Sequence, residues 1–83
     1  MQLQVGMVVY VTAGKEMHSY YAVTRLEGSA VYLADGKHRK LEKPKRKNVK
    51  HIRTTERILQ MEEMTNRSLY RTLQQLNAHE GGK

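Results

Sequence analysis

The residues able to do chemistry are concentrated in positions 36–53, which read GKHRKLEKPKRKNVKHIR. Lys37, Arg39, Lys40, Lys43, Lys45, Arg46, Lys47, Lys50 and Arg53 stand there against a single acid, Glu42. The segment carries +8, and the rest of the chain sums to −1. Charge scattered over a solvated surface would not leave the remainder neutral, so the segment reads as a binding surface for something acidic. Lys15 and Arg25 are outlying cations. Pro44 restricts the chain in the middle of the run, which limits the ordering cost of binding. A loop is expected to present Lys45, Arg46 and Lys47.

Other chemistries lack their residues. The chain has no Cys, which excludes disulfides, thiolate metal sites and a Cys nucleophile. His18, His38, His51 and His79 do not have zinc-finger spacing. Glu62-Glu63 and the pair Glu16 and Glu27 form no general acid–base arrangement. Ser19, Ser29 and Ser68 lie in no nucleophile motif, and Gly14-Lys15 lacks the flanking glycines of a phosphate loop. No catalysis, cofactor or metal is expected.

At 83 residues the chain makes one small domain with a thin core, in which a deep substrate pocket is not expected. No apolar stretch approaches the roughly 20 residues of a membrane span. No apolar signal region follows Met1, so an uncleaved cytoplasmic protein is expected, with no membrane partner.

The elements that must position the basic segment fall into two parts. Met7–Thr12, Tyr20–Leu26 and Ala30–Ala34 are β-branched and aromatic, as strands prefer. Asp35-Gly36 is a two-residue hairpin signal, which would fold His38–Leu41 back as a fourth strand. Pro44 ends or edges that strand, and Val49–Ile52 reads as a short fifth. Five antiparallel strands in so few residues predict a small, mainly β, closed barrel over residues 1–53. Alternation places Val9, Val11, Tyr21, Val23, Val31 and Leu33 inward, with Tyr10, Tyr20 and Tyr32 outward.

Residues 54–83 are expected to form one C-terminal α-helix and a frayed tail at Gly81-Gly82. Positions 55–78 hold no Gly or Pro, and Thr54 or Thr55 can cap the start. Ile58, Met61, Leu69, Leu73 and Leu76 fall on one face, with Glu62 interrupting the stripe. Burial of Ile58, Leu69, Leu73 and Leu76 is expected, on the barrel or on a second chain. Such a helix would span roughly 36 Å. It would overhang a barrel of roughly 25 Å.

Gly6–Tyr32, with the following LADGKHRKLEKPKRKNVKHI, resembles the KOW motif of small bacterial RNA-binding proteins. These in turn are similar to KOW-containing proteins of the archaeal and eukaryotic large ribosomal subunit. The resemblance covers Val5 to Arg53, anchored by Val5-Gly6, Ala13-Gly14, Asp35-Gly36 and the basic run at 43–47. It implies an SH3-like barrel, RNA binding and a ribosomal or translational setting. One departure is Met17-His18, where the motif usually carries a glycine after a lysine at the first hairpin tip. His18 can occupy that turn only with strain or a different loop shape.

RNA binding needs cations for phosphates and flat groups on which unpaired bases stack. The expected contacts are Lys37, His38, Arg39, Lys40, Lys43, Lys45, Arg46, Lys47, Lys50, Arg53 and Lys15, with Tyr20 and Tyr32 as stackers. Ribosomal RNA is the expected partner. The alternative is a protein-interaction adaptor that uses the barrel surface or the C-terminal helix, including self-association.

Overall fold

The structure, a computed structural model, describes residues 2–81 and the side chains of residues 2–76. Its strands are β1 (Met7–Val11), β2 (Tyr20–Glu27), β3 (Ala30–Ala34), β4 (Lys45–Asn48) and β5 (Ile52–Ile58), followed by one helix, α1 (Asn66–Gly81). All pairs are antiparallel, in the order β4-β3-β2-β1-β5. The protein is therefore mainly β, with a single C-terminal helix.

Alternation sorts the strands into two apolar layers. Met7, Val9, Val11, Tyr21, Val23, Val31 and Leu33 fill the inner face, joined by Leu3, Val49 and Ile52. Val8, Ala22 and Ala34 form the outer face, where Leu69 and Leu73 of α1 cover them. The small side chains of Ala22 and Ala34, paired across β2 and β3, let the helix approach the sheet. The six residues expected inward are all buried.

Several elements differ from the sequence reading. The sheet is not closed as a barrel: β4 and β5 are its two ends and do not pair. The β4 end is four residues long and bears Lys45, Arg46 and Lys47, the charged blunting that keeps an open edge from pairing with other chains. His38–Leu41 is not a strand. Asp35 accepts backbone N–H bonds from Lys37 and Arg39, at 3.0 and 2.8 Å, and folds the chain into a self-contained turn. The return strand comes only at Lys45, so the basic triplet expected on a loop is β4 itself. Val49–His51 is a single 3-10 turn, and β5 begins at Ile52.

The C-terminal reading shifts most. Residues 54–58 extend β5 instead of opening a helix, so the sheet runs past residue 53. Neither Thr54 nor Thr55 is a cap. Thr65 caps α1: its hydroxyl accepts from the Ser68 N–H at 3.1 Å, and the Ser68 hydroxyl accepts from the Thr65 N–H at 2.9 Å. Leu69 and Leu73 are buried and Leu76 half-buried, but Ile58, on β5 and not on the helix, is 40% exposed. The 16 residues of α1 span roughly 24 Å at 1.5 Å per residue instead of roughly 36 Å, because residues 54–58 belong to β5, so the length on which the expected overhang rested is not reached. Gly81 ends α1, and Gly82 lies outside the described residues.

Candidate nucleic-acid interface

The basic segment divides into cations that hold the fold and cations that face solvent. The dividing group is Glu16, in the β1–β2 connection, which is 7% exposed. Its carboxylate accepts from the Arg39 guanidinium at 2.7 Å and lies 3.2 Å from Lys47 Nζ. Lys47 Nζ also donates to the Ala13 carbonyl at 2.8 Å. Burial works to raise the Glu16 carboxyl, but the hydrogen bonds from Arg39 and Lys47 outweigh it and bring the pKa down to about 2. Gly14 makes room for this pair. Its φ is +88°, and a Cβ there would run into Lys47 Nζ. Arg39 and Lys47, both expected on RNA, therefore tie the first hairpin to the basic loop and β4.

The loop before β4 is moored on the helix start. Asn66 Oδ1 accepts the Leu41 N–H at 2.7 Å, and Asn66 Nδ2 donates to Glu42 at 2.8 Å. Lys37 Nζ lies 5.2 Å from the Tyr70 ring centroid, a cation–π distance. Burial favours a raised Asp35 carboxyl, but the Arg39 amide, the His38 ring and the Lys37 amide hold it below its usual value. His38 Nδ1 sits 3.0 Å from Asp35 Oδ2, with most of the His38 side chain in solvent.

The remaining cations are differently placed. Lys15, Lys43, Lys45, Arg46, Lys50 and Arg53 enter no ion pair among the described residues. Lys45 is half-buried, and the other five are exposed. Lys40 is exposed beside Glu42. Lys43, Lys45, Arg46 and Lys50 follow the chain through the loop, the edge strand β4 and the turn after it.

The two expected stackers lie far apart. Register places Tyr20 and Tyr32 on opposite sides of the Ala22–Ala34 pair, about 13 Å apart along the strands. The helix-covered patch lies between them. Each belongs to a row across the outer face. At one end Arg25 lies 4.2 Å over the Tyr32 ring, and Arg46 pairs with Tyr32 from β4. Tyr32 also donates to Glu27 at 3.1 Å. At the other end Tyr10 pairs with Tyr20 on one side and Arg53 on the other. The Tyr10 and Tyr20 rings meet edge-on at 5.2 Å. The departure at Met17-His18 is accommodated by backbone: His18 has φ +72°, and its Nδ1 lies 3.0 Å from the Tyr10 hydroxyl.

Sequence reasoning passed over Glu16, Asp35 and Tyr70 as partners of the basic segment. Nothing local marks Glu16, because its partners are remote in sequence. Asp35 followed by Gly36 carried a turn signal that pointed to the right place but the wrong loop length. Among the described residues no three of His, Cys, Asp and Glu gather into a metal site, and no helix is long and apolar enough to cross a membrane. No protein-family model matches the chain, and no curated protein matches it.

Proposed function

We propose that the protein binds RNA, with no catalytic step, through a rim of solvent-facing cations. The rim comprises Lys40, Lys43, Lys45, Arg46 and Lys50, with Lys15 and Arg53 beside it. The observation that carries this reading is the set of cations that enter no ion pair among the described residues once Glu16 has taken Arg39 and Lys47, with Lys40 beside Glu42. Held on a short strand and a moored loop, they meet phosphates with little ordering cost.

The KOW-like stretch from Val5 to Arg53 supports a ribosomal or translational RNA in the cytoplasm as the target. The adaptor reading loses one of its grounds, because the apolar stripe of α1 is engaged by the sheet at Leu69 and Leu73.

The test is affinity for a structured RNA across a salt series. With about six phosphates neutralised, log affinity should fall against log salt with a slope of about −4 to −5. Binding that ignores salt, or no RNA recovered by crosslinking in the native cell while a protein is captured, would overturn the proposal.

A further inference from the structure

We infer that the cleft between the β1–β2 connection and the basic loop holds one phosphate group of the bound RNA, with the Tyr21 hydroxyl at its floor. The inference rests on the RNA-binding reading and deepens it by fixing where one phosphate sits.

The cleft, about 450 Å³, is lined by Lys15, Glu16, Ser19, Tyr21, His38 and Arg39. Tyr21 differs from the rest of the lining. It belongs to the inner apolar layer with Val9, Val23 and Leu33 and is 4% exposed. Yet its hydroxyl makes no hydrogen bond among the described residues. No fully buried side-chain N or O among them lacks a partner, so this oxygen is the part of Tyr21 that reaches the cleft. Burial, with the charges of Asp35 and Glu16 nearby, pushes its pKa up to about 12. The group is therefore a neutral O–H donor at neutral pH. Polar groups on buried side chains are as a rule paired, so this one calls for an acceptor from outside the fold.

The walls offer donors as well. Ser19 is half-buried, and its hydroxyl also has no hydrogen-bond partner among the described residues. Lys15 is exposed and enters no ion pair among them. The one carboxylate in the lining, Glu16, has both oxygens occupied, one by Arg39 at 2.7 Å and the other by Lys47 at 3.2 Å. Arg39 bonds Glu16 through a single nitrogen and keeps 36% of its side chain exposed, so its other N–H groups can serve a ligand. Asp35, beneath the basic loop, is held by His38 Nδ1 and the amides of Lys37 and Arg39. A cleft with free donors, whose acceptors are already taken, suits an acceptor-only anion. Lys15, Arg39 and Lys47 outnumber Glu16 and Asp35, so the local charge favours an anion too. Arg39 directly precedes Lys40, where the cationic rim begins, so one RNA strand can meet both.

The experiment measures binding of one oligoribonucleotide to the full chain, once with a 5′-phosphate and once with a 5′-hydroxyl. Tyr21→Phe removes the hydroxyl and keeps the ring, so the urea midpoint should stay at the parent's; a purely structural role for the hydroxyl would lower it. Affinity should fall about tenfold, the loss of one hydrogen bond to a charged group. The salt slope should not change, because no cation is removed, whereas Lys15→Ala should reduce it by about one unit. A parent that favours the 5′-phosphorylated strand assigns the cleft to a terminal phosphate. Equal affinity for the two strands, with the same Tyr21→Phe loss, assigns it to a backbone phosphate. If the parent binds RNA and a folded Tyr21→Phe protein binds it equally well, the cleft assignment is overturned and RNA binding stands. Should Tyr21→Phe fail to fold, Ser19→Ala takes its place under the same criterion. If the parent binds neither RNA, the RNA reading itself fails and this inference falls with it.

Discussion

Lys47 Nζ lies 3.2 Å from the carboxylate of Glu16, and both side chains are at least nine-tenths buried. A cation from the centre of the most basic stretch is thus a structural group. The first prediction contrasts it with its neighbour on β4. Lys47→Ala leaves Glu16 with Arg39 alone and strips the Ala13 carbonyl of its donor. Loss of one partner of a buried ion pair should cost about 3 kcal/mol, read as a shift in urea midpoint. Arg46→Ala, on the exposed side of the same strand, should change stability by less than about 0.5 kcal/mol. Equal stability of the two variants would show that the Glu16 network does not hold the fold.

The same carboxylate makes stability sensitive to acid. Its pKa in the folded protein is about 2, against 4.5 for the unperturbed group. A depressed folded value means the contribution is complete above about pH 4.5 and is lost as pH falls towards 2. The full difference is worth about 3 kcal/mol. Asp35 is also depressed and adds to the loss in the acid range. Chemical denaturation from pH 7 to pH 2 should show the decline, and Glu16→Gln should flatten it while lowering stability at neutral pH. A parent profile flat through this range would remove the argument.

How much of this was legible in the sequence depended on which side chains carried the pattern. Where a tyrosine stands between two aliphatic residues, as in Val9–Val11 and Val31–Leu33, period two gave the correct faces. In Lys45–Asn48 every side chain is polar, so alternation had nothing to register. The strand is defined by its pairing with Ala30–Leu33. Residues 54–58 were misread because Thr, Glu, Arg and Ile without Gly or Pro satisfy a helix as well as a strand. The β-branched Thr54-Thr55 pair was the overlooked strand signal, and β1 supplied the tertiary partner that decided the outcome. The true helix start was also written locally, in Thr65 and Ser68, three residues apart, before the Leu69–Leu73 pair. For the candidate site the positions of the cations were legible. Which of them face solvent was not, because that depends on one distant glutamate.

That start gives a third prediction. Thr65→Ala removes the hydroxyl that accepts from the Ser68 N–H. Stability should fall by about 1 kcal/mol, with a small loss of helical circular dichroism. Thr54→Ala should leave the helical signal unchanged, since Thr54 lies in β5. A larger helical loss from Thr54→Ala than from Thr65→Ala would place the helix start where the sequence alone suggested.

The fourth prediction concerns how the basic loop reaches its position. Gly36 has φ +87°, and a Cβ there would collide with the Asn66 carbonyl and crowd the Tyr70 amide. Both neighbours are backbone atoms of α1, so no side-chain rotation relieves the clash. Gly36→Ala should therefore cost at least about 2 kcal/mol, more than the left-handed backbone alone would explain. Gly28 separates the two effects. It also has positive φ, +60°, but a Cβ there meets nothing within 4 Å. Gly28→Ala should cost only the conformational part, about 1 kcal/mol. Gly36→Ala should also weaken RNA binding, because Lys40 and Lys43 lie in the loop that Asn66 anchors at Leu41 and Glu42. In the folded fraction that weakening should appear at every salt concentration tested, since the cations remain but are no longer held in place. Equal destabilisation by Gly28→Ala and Gly36→Ala would mean that the loop does not rest on the helix. The rim would then have no fixed geometry to present to phosphates.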